Sequence, residues 1–154
     1  LESVNFQGFF AYHRSERNAG GKNMKLIRIG DSLTFGYGVH LSQRWTRLCA
    51  QETGWELVNE GINGDTTGGM LARMQGGVLA ELREGGLGAD RPYVLLMGGS
   101  NDVFYSGSDA AARGNMGAMI HKLFSVGVLP VVGIPLPADA PHAPRSILKR
   151  RSGR

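Results

Sequence analysis

Apolar positions along the chain change their spacing in a repeating order. KLIRIG (25–30) is a short run of mixed apolar character that ends on glycine and predicts a strand. SQRWTRLCAQETG (42–54) predicts a helix, with Trp45, Leu48 and Cys49 on one face, Ser42 as candidate N-cap and Gly54 as its stop. WELVNEGI (55–62) returns to strand character. TTGGMLARM (66–74) and GVLAELREGG (77–86) predict helical pieces broken at Gly76-Gly77. RPYVLLMGG (91–99) is a continuous apolar run suited to burial on both faces of a sheet. SDAAARGNMGAMIHKLFSVG (108–127) predicts a helix that starts at Ser108 and ends at Gly127. VLPVVGIPLP (128–137) predicts a fourth strand, with Pro130 giving it an edge-like beginning.

Strands alternating with helices predict right-handed crossovers and a parallel sheet covered on both faces. No internal repeat is evident. A chain of 154 residues fits one domain. Such a length buries about 70% of its unfolded surface and needs neither disulfide nor metal to hold a core. Cys49 is the single cysteine, so no intramolecular disulfide can form, and a cytoplasmic setting is the simpler expectation. No run has the length of a membrane-spanning helix, and no signal-peptide pattern opens the chain.

The formal charge of +4 raises nucleic acid as a partner, but its distribution argues against a specific one. From Met24 to Pro144, nine Lys/Arg face eleven Asp/Glu, a balance of −2. The excess lies at the end, in Arg145, Lys149, Arg150, Arg151 and Arg154. Residues 1–23 read as an irregular leader, and two features suggest a non-native origin. ESVNFQG (2–8) loosely resembles a protease-cleavage linker, with Asn5 in place of the expected tyrosine. AGGKNM (19–24) is compatible with a translated ribosome-binding site that would make Met24 the natural start. Residues 24–137 form the expected domain, and 138–154 a basic, disordered tail.

The chemistry concentrates where the strands end. Ligands of open parallel sheets bind at the carboxyl ends of the strands. The first three predicted strands run into Gly30-Asp31-Ser32-Leu33, Gly61-Ile62-Asn63-Gly64-Asp65 and Gly98-Gly99-Ser100-Asn101-Asp102. Each is also ordinary turn or capping chemistry when taken alone. Their joint occurrence on one rim points to acyl transfer. Ser32 would be the nucleophile, and the backbone N–H groups of Ser32 and Gly64 with the Asn101 side-chain amide would be oxyanion donors. A glycine at 64 lets the main chain approach without a Cβ in the way.

These blocks resemble the GDSL, or SGNH, hydrolases. GDSLTFGYG is similar to that family's nucleophile block, NEGINGDTTGGM to its oxyanion-glycine block, and MGGSND to its G-x-N-D block. The resemblance covers Lys25 to Pro137 and implies a three-layer α/β/α, flavodoxin-like parallel sheet. It further implies hydrolysis of carboxylic esters or thioesters of small acyl or aryl substrates through an acyl-enzyme, with Ser32 as nucleophile, Gly64 and Asn101 as oxyanion residues and no cofactor or metal.

The pattern then breaks. The family's D-x-x-H block follows a fifth strand and precedes a last helix, a segment missing here. Asp139-Ala140-Pro141-His142 fits by spacing, but only thirty-eight positions separate Asn101 from Asp139. The expectation is a chain truncated or frameshifted after Pro137, its last strand and helix absent and an uncovered sheet edge open to self-association. His121, His40 and His13 are weaker candidates for a base. Two alternatives stand beside the esterase: an acyl-binding module that keeps the oxyanion pocket without its base, and a phosphate or nucleotide binder. The last lacks any G-x-x-x-x-G-K-[ST] or G-x-G-x-x-G after a strand. Phe35, Tyr37, Phe104 and Tyr105 are candidates either for lining an apolar pocket or for helix packing.

Overall fold

The computed structural model describes residues 24–84 and 92–134. Four parallel strands form one sheet: β1 (Lys25–Gly30), β2 (Glu56–Gly61), β3 (Tyr93–Met97) and β4 (Pro130–Gly133), in the order β2-β1-β3-β4. The chain steps from β1 to β2 on one side, then crosses back to β3 on the other. The direction of winding therefore reverses beside β1, the arrangement that leaves a crevice at the strand ends.

Alternation along β1 sends its side chains to two faces. Ile27 and Ile29 join Val94 and Leu96 of β3 under three helices: α3 (Thr67–Arg73), α4 (Val78–Glu84) and α6 (Ala110–Ser125). Met70 of α3 and Met74 at its C-terminal cap, four residues apart, are fully buried there, as are Met119 and Leu123 of α6. Each such side chain contributes about 1.5–3 kcal/mol by leaving water. On the other face, Leu26 packs with Leu95 and Trp55, and Trp45 of α2 (Trp45–Thr53) lies against them. Helices cover both faces, as the alternation predicted, and make the three-layer α/β/α architecture that the resemblance implied.

Arg28 also points to the α2 face and is 1% exposed. Its Nε and Nη2 donate to the Val58 and Leu57 carbonyls of β2, both at 3.2 Å, and its guanidinium stands 5.4 Å from the Trp45 ring centroid. Burial pulls its pKa down to about 10. Nη1 has no partner, so this charge is only partly compensated.

Local differences from the expected elements have local causes. Ser42 does not cap α2; it sits in a 3-10 turn (Leu41–Gln43), its hydroxyl 2.8 Å from His40 Nδ1. Arg44 occupies the cap position without a side-chain bond, while Gly54 closes α2 in the left-handed region at φ 67° as expected. Leu48 is exposed and does not share a buried face with Trp45. Asp109, not Ser108, precedes α6, although Ser108 Oγ accepts from Ala110 N at 3.3 Å. Two short helices were not expected: α1 (Ser32–Phe35) and α5 (Ser100–Ser106). The leader, the basic tail, Asp139, His142 and His13 lie outside the described residues.

Gly30 and Gly61 let α1 settle directly on the strand ends. A Cβ on Gly61 would run into the backbone of Phe35 and Thr34, and one on Gly30 into Thr34 Oγ1 and the Met97 carbonyl. Gly114, on α6, faces open space. Gly61→Ala is therefore expected to destabilise the fold by about 1–3 kcal/mol. Gly114→Ala should stabilise it by about 0.5–1 kcal/mol through helix propensity. Urea unfolding of both variants checks the contrast; equal effects would mean that α1 does not rest on Gly61.

Candidate active site

Gly30, the last residue of β1, stands level with Gly61 of β2 and Met97 of β3. Three neighbouring strands thus end on one line, with β1 in the middle. Ser32 follows two residues after Gly30, Gly64 three after Gly61 and Asn101 four after Met97. The topology places the three residues singled out by sequence on one rim.

Each local structure follows from its sequence. Asp31 is extended and accepts from Leu33 N through Oδ1 at 2.9 Å, capping α1 so that Ser32 is its first residue, half-buried. Gly36 ends α1 with φ 82°, and its N–H and that of Tyr37 both bond the Ser32 carbonyl, at 2.9 and 3.0 Å. Gly64 is exposed with φ 75° in the loop after β2, a conformation that disfavours a side chain. Asn101 lies in the first turn of α5, and its Nδ2 donates to the Asp65 carbonyl at 2.7 Å. An amide nitrogen carries two hydrogens, so one remains available.

The carboxylates that accompany the motifs are structural ties. Asp102 is buried and accepts the Thr67 N–H at 2.9 Å and the Thr67 hydroxyl at 2.6 Å, fastening α5 to the start of α3. Asn115 of α6 donates to the same hydroxyl at 3.1 Å. Asp65 Oδ2 accepts from Arg73 Nε at 2.8 Å, and Arg73 Nη2 donates to the Gly30 carbonyl at 3.0 Å. Sequence inspection passed over Arg73, Thr67 and Asn115, and it placed Asp102 in a motif turn without giving it a role. The one available signal was an arginine set next to the apolar Met70–Met74 stripe of a short helix.

Around the rim, Phe35 is half-buried under the Arg44 guanidinium at 4.3 Å, so it packs rather than lines. Leu33, Tyr37, Ile62, Phe104 and Tyr105 are exposed, and the Tyr105 hydroxyl would lie 3.8 Å from a Cβ on Gly64. The described histidines are His40 and His121, both exposed, with His40 Nδ1 turned to Ser42. Among the described residues no group of three or more His, Cys, Asp or Glu is placed to hold a metal ion, and no helix is long and apolar enough to cross a membrane.

Comparisons with known proteins converge on this arrangement. The profile of the GDSL-like Lipase/Acylhydrolase family matches residues 29–153. The chain is 30% identical over 129 residues to Esterase TesA of Pseudomonas aeruginosa, covering 79% of this chain and 59% of that protein. It therefore spans less than two thirds of that relative's length. A protein of the lipolytic G-D-S-L family from Desulfitobacterium hafniense superposes with a TM-score of 0.68 at 27% identity, covering 84% of this chain and 68% of the other. The crystal structure of TesA superposes at 0.62 with 30% identity, covering 82% and 69%.

Asp31 shows the electrostatic character of the rim. Burial raises its pKa above the usual 3.8, the Leu33 N–H opposes the rise, and the Asp65 and Asp102 charges add to it. A carboxyl with a raised folded-state pKa contributes most to stability below its unfolded value and loses that contribution as pH rises through the folded value. Asparagine keeps the acceptor for Leu33 and removes the charge. Between pH 4 and pH 7 the stability of Asp31→Asn relative to the parent is thus expected to improve as pH rises through the raised folded-state value and to hold level above it. Denaturant unfolding across that range checks it, and a pH-independent difference would show that Asp31 is not held against its charge.

Proposed function

Because this chain belongs to the GDSL-like lipase/acylhydrolase family, we propose that its rim performs acyl transfer on carboxylic esters or thioesters through Ser32. Ser32 Oγ adds to the substrate carbonyl carbon as its proton passes to a base, and the carbonyl electron pair moves onto oxygen. The N–H groups of Ser32 and Gly64 and the Asn101 amide receive that oxyanion. Collapse expels the alcohol or thiol with the proton returned to it, and water then releases the acid and restores Ser32. The observation that supports this reading is the common level of Gly30, Gly61 and Met97, since Ser32, Gly64 and Asn101 follow those strand ends within two to four residues. The exposed Leu33, Ile62, Phe104 and Tyr105 favour an apolar acyl or aryl group.

The base in this reading is His142, paired with Asp139. A second reading, an acyl-binding pocket without a base, is favoured by the described histidines, since His40 is engaged with Ser42 and His121 is exposed on α6. An unassisted serine hydroxyl is a poor nucleophile at neutral pH. Removing the base from a comparable triad lowers turnover by about 10⁶, leaving roughly 10³–10⁴ over water.

Hydrolysis of 4-nitrophenyl butyrate by the full chain, Ser32→Ala, His142→Ala and Asn101→Ala separates the readings. The esterase is expected to lose essentially all turnover in the first two and about 10²–10³ in the third. Turnover that depends on Ser32 and Asn101 but not on His142 would support the baseless pocket. Turnover indifferent to Ser32 would overturn both.

A further inference from the structure

Resting on the oxyanion roles proposed for Gly64 and Asn101, we infer that Arg73 is a positioning residue. Its guanidinium fastens the loop after β2 to the end of β1 and so fixes where the two donors stand relative to Ser32. Nη2 bonds the Gly30 carbonyl at 3.0 Å, two residues before Ser32. Nε bonds the Asp65 carboxylate at 2.8 Å, one residue after Gly64. The Asp65 carbonyl in turn receives Asn101 Nδ2 at 2.7 Å. A continuous line of contacts, Gly30 to Arg73 to Asp65 to Asn101, thus passes through all three motif blocks.

The loop needs such a tie. Gly64 has no side chain to pack, and its φ of 75° is a conformation that glycine holds with little local preference. Glu60 adds a contact from β2, with Oε2 3.6 Å from Arg73 Nη1. Gly69 leaves room for the Asp65 carboxylate, which a Cβ there would strike. Both partners of the Arg73–Asp65 pair are largely buried, with side chains 21% and 11% exposed, so salt screens the pair less than a surface one. A planar guanidinium reaches a carbonyl and a carboxylate in two fixed directions at once; a lysine ammonium on its flexible stem does not.

The test is nuclear magnetic resonance on the full, nitrogen-15-labelled chain as parent, Arg73→Ala and Arg73→Lys, with turnover of 4-nitrophenyl butyrate measured alongside. In Arg73→Ala the Gly64 backbone amide and the Asn101 side-chain amide are expected to shift, and the Asn101 amide to exchange with water at least tenfold faster. The Val94, Leu95 and Leu96 amides of β3 should stay in place. Arg73→Lys should restore part of the change. Where turnover is measurable, kcat should fall at least tenfold with KM within about twofold. Unmoved Gly64 and Asn101 signals, or signals that move together with those of β3, would overturn the inference by making Arg73 neutral or merely a support of the fold. A parent chain without turnover would count against the proposed function, while the amide signals would still decide the role of Arg73.

Discussion

The arrangement depends on one oxygen atom, the carbonyl of Gly30 at the end of the central strand. It accepts from Ile62 N and from Arg73 Nη2, both at 3.0 Å, and so receives the loop after β2 and the last residue of α3 together. A carbonyl has two lone pairs, and here both are used. The residue that carries it must also lack a side chain, because α1 and the Met97 carbonyl close around its Cα. Glycine is required at this position by close approach rather than by backbone conformation. With α1 resting over this glycine and over Gly61, the position of Ser32 follows from the strand end two residues before it.

Three carboxylates beneath one rim would repel one another if left alone, and each is compensated in a different way. Asp65 has a cation, Asp102 has a hydroxyl and a backbone N–H from the start of α3, and Asp31 has backbone N–H groups only. The Asp31 pKa rises, first through burial and then through the charges of the other two. Arg73 is the cation bonded to this group, and in the proposed chemistry its pairing with Asp65 would limit the field met by a developing oxyanion. A rim carrying uncompensated negative charge would oppose that oxyanion, which makes local neutralisation as necessary as the donors themselves.

The succession of strands and helices, the two-sided burial of β3, the breaks at Gly54 and Gly76-Gly77 and the three motif blocks were legible in the sequence. They rest on spacing and turn chemistry, which are local. The two short helices were not legible, because the four residues of α1 are too few to establish a period and α5 starts inside the Gly-Gly-Ser-Asn-Asp block that reads as a turn. Ser42 misled for a similar reason: a good capping residue lay two positions from a histidine that engaged its hydroxyl first. Arg28 and Arg73 were missed because an arginine in a strand or helix ordinarily reads as a solvated face. Burial of one against Trp45 and of the other between two strand ends depends on partners in other elements, as far as 43 positions away, beyond what spacing along one element reveals.

In the proposed chemistry, the two halves of an acyl-transfer site come from different levels of the fold. The oxyanion half is built from backbone N–H groups and an amide within a few residues of level strand ends, tied by bonds of 2.6–3.0 Å among neighbours. It therefore assembles with the sheet and needs nothing from a distant part of the chain. The base is a single imidazole that has to be brought to Ser32 by a segment of its own. The donors stabilise charge whichever group takes the proton, so the first half can keep binding and polarising a carbonyl where the second is displaced or lost. The roughly 10³–10⁴ over water that such donors and binding retain without a base is the physical reason a scaffold of this kind can persist as a binding site as well as an enzyme.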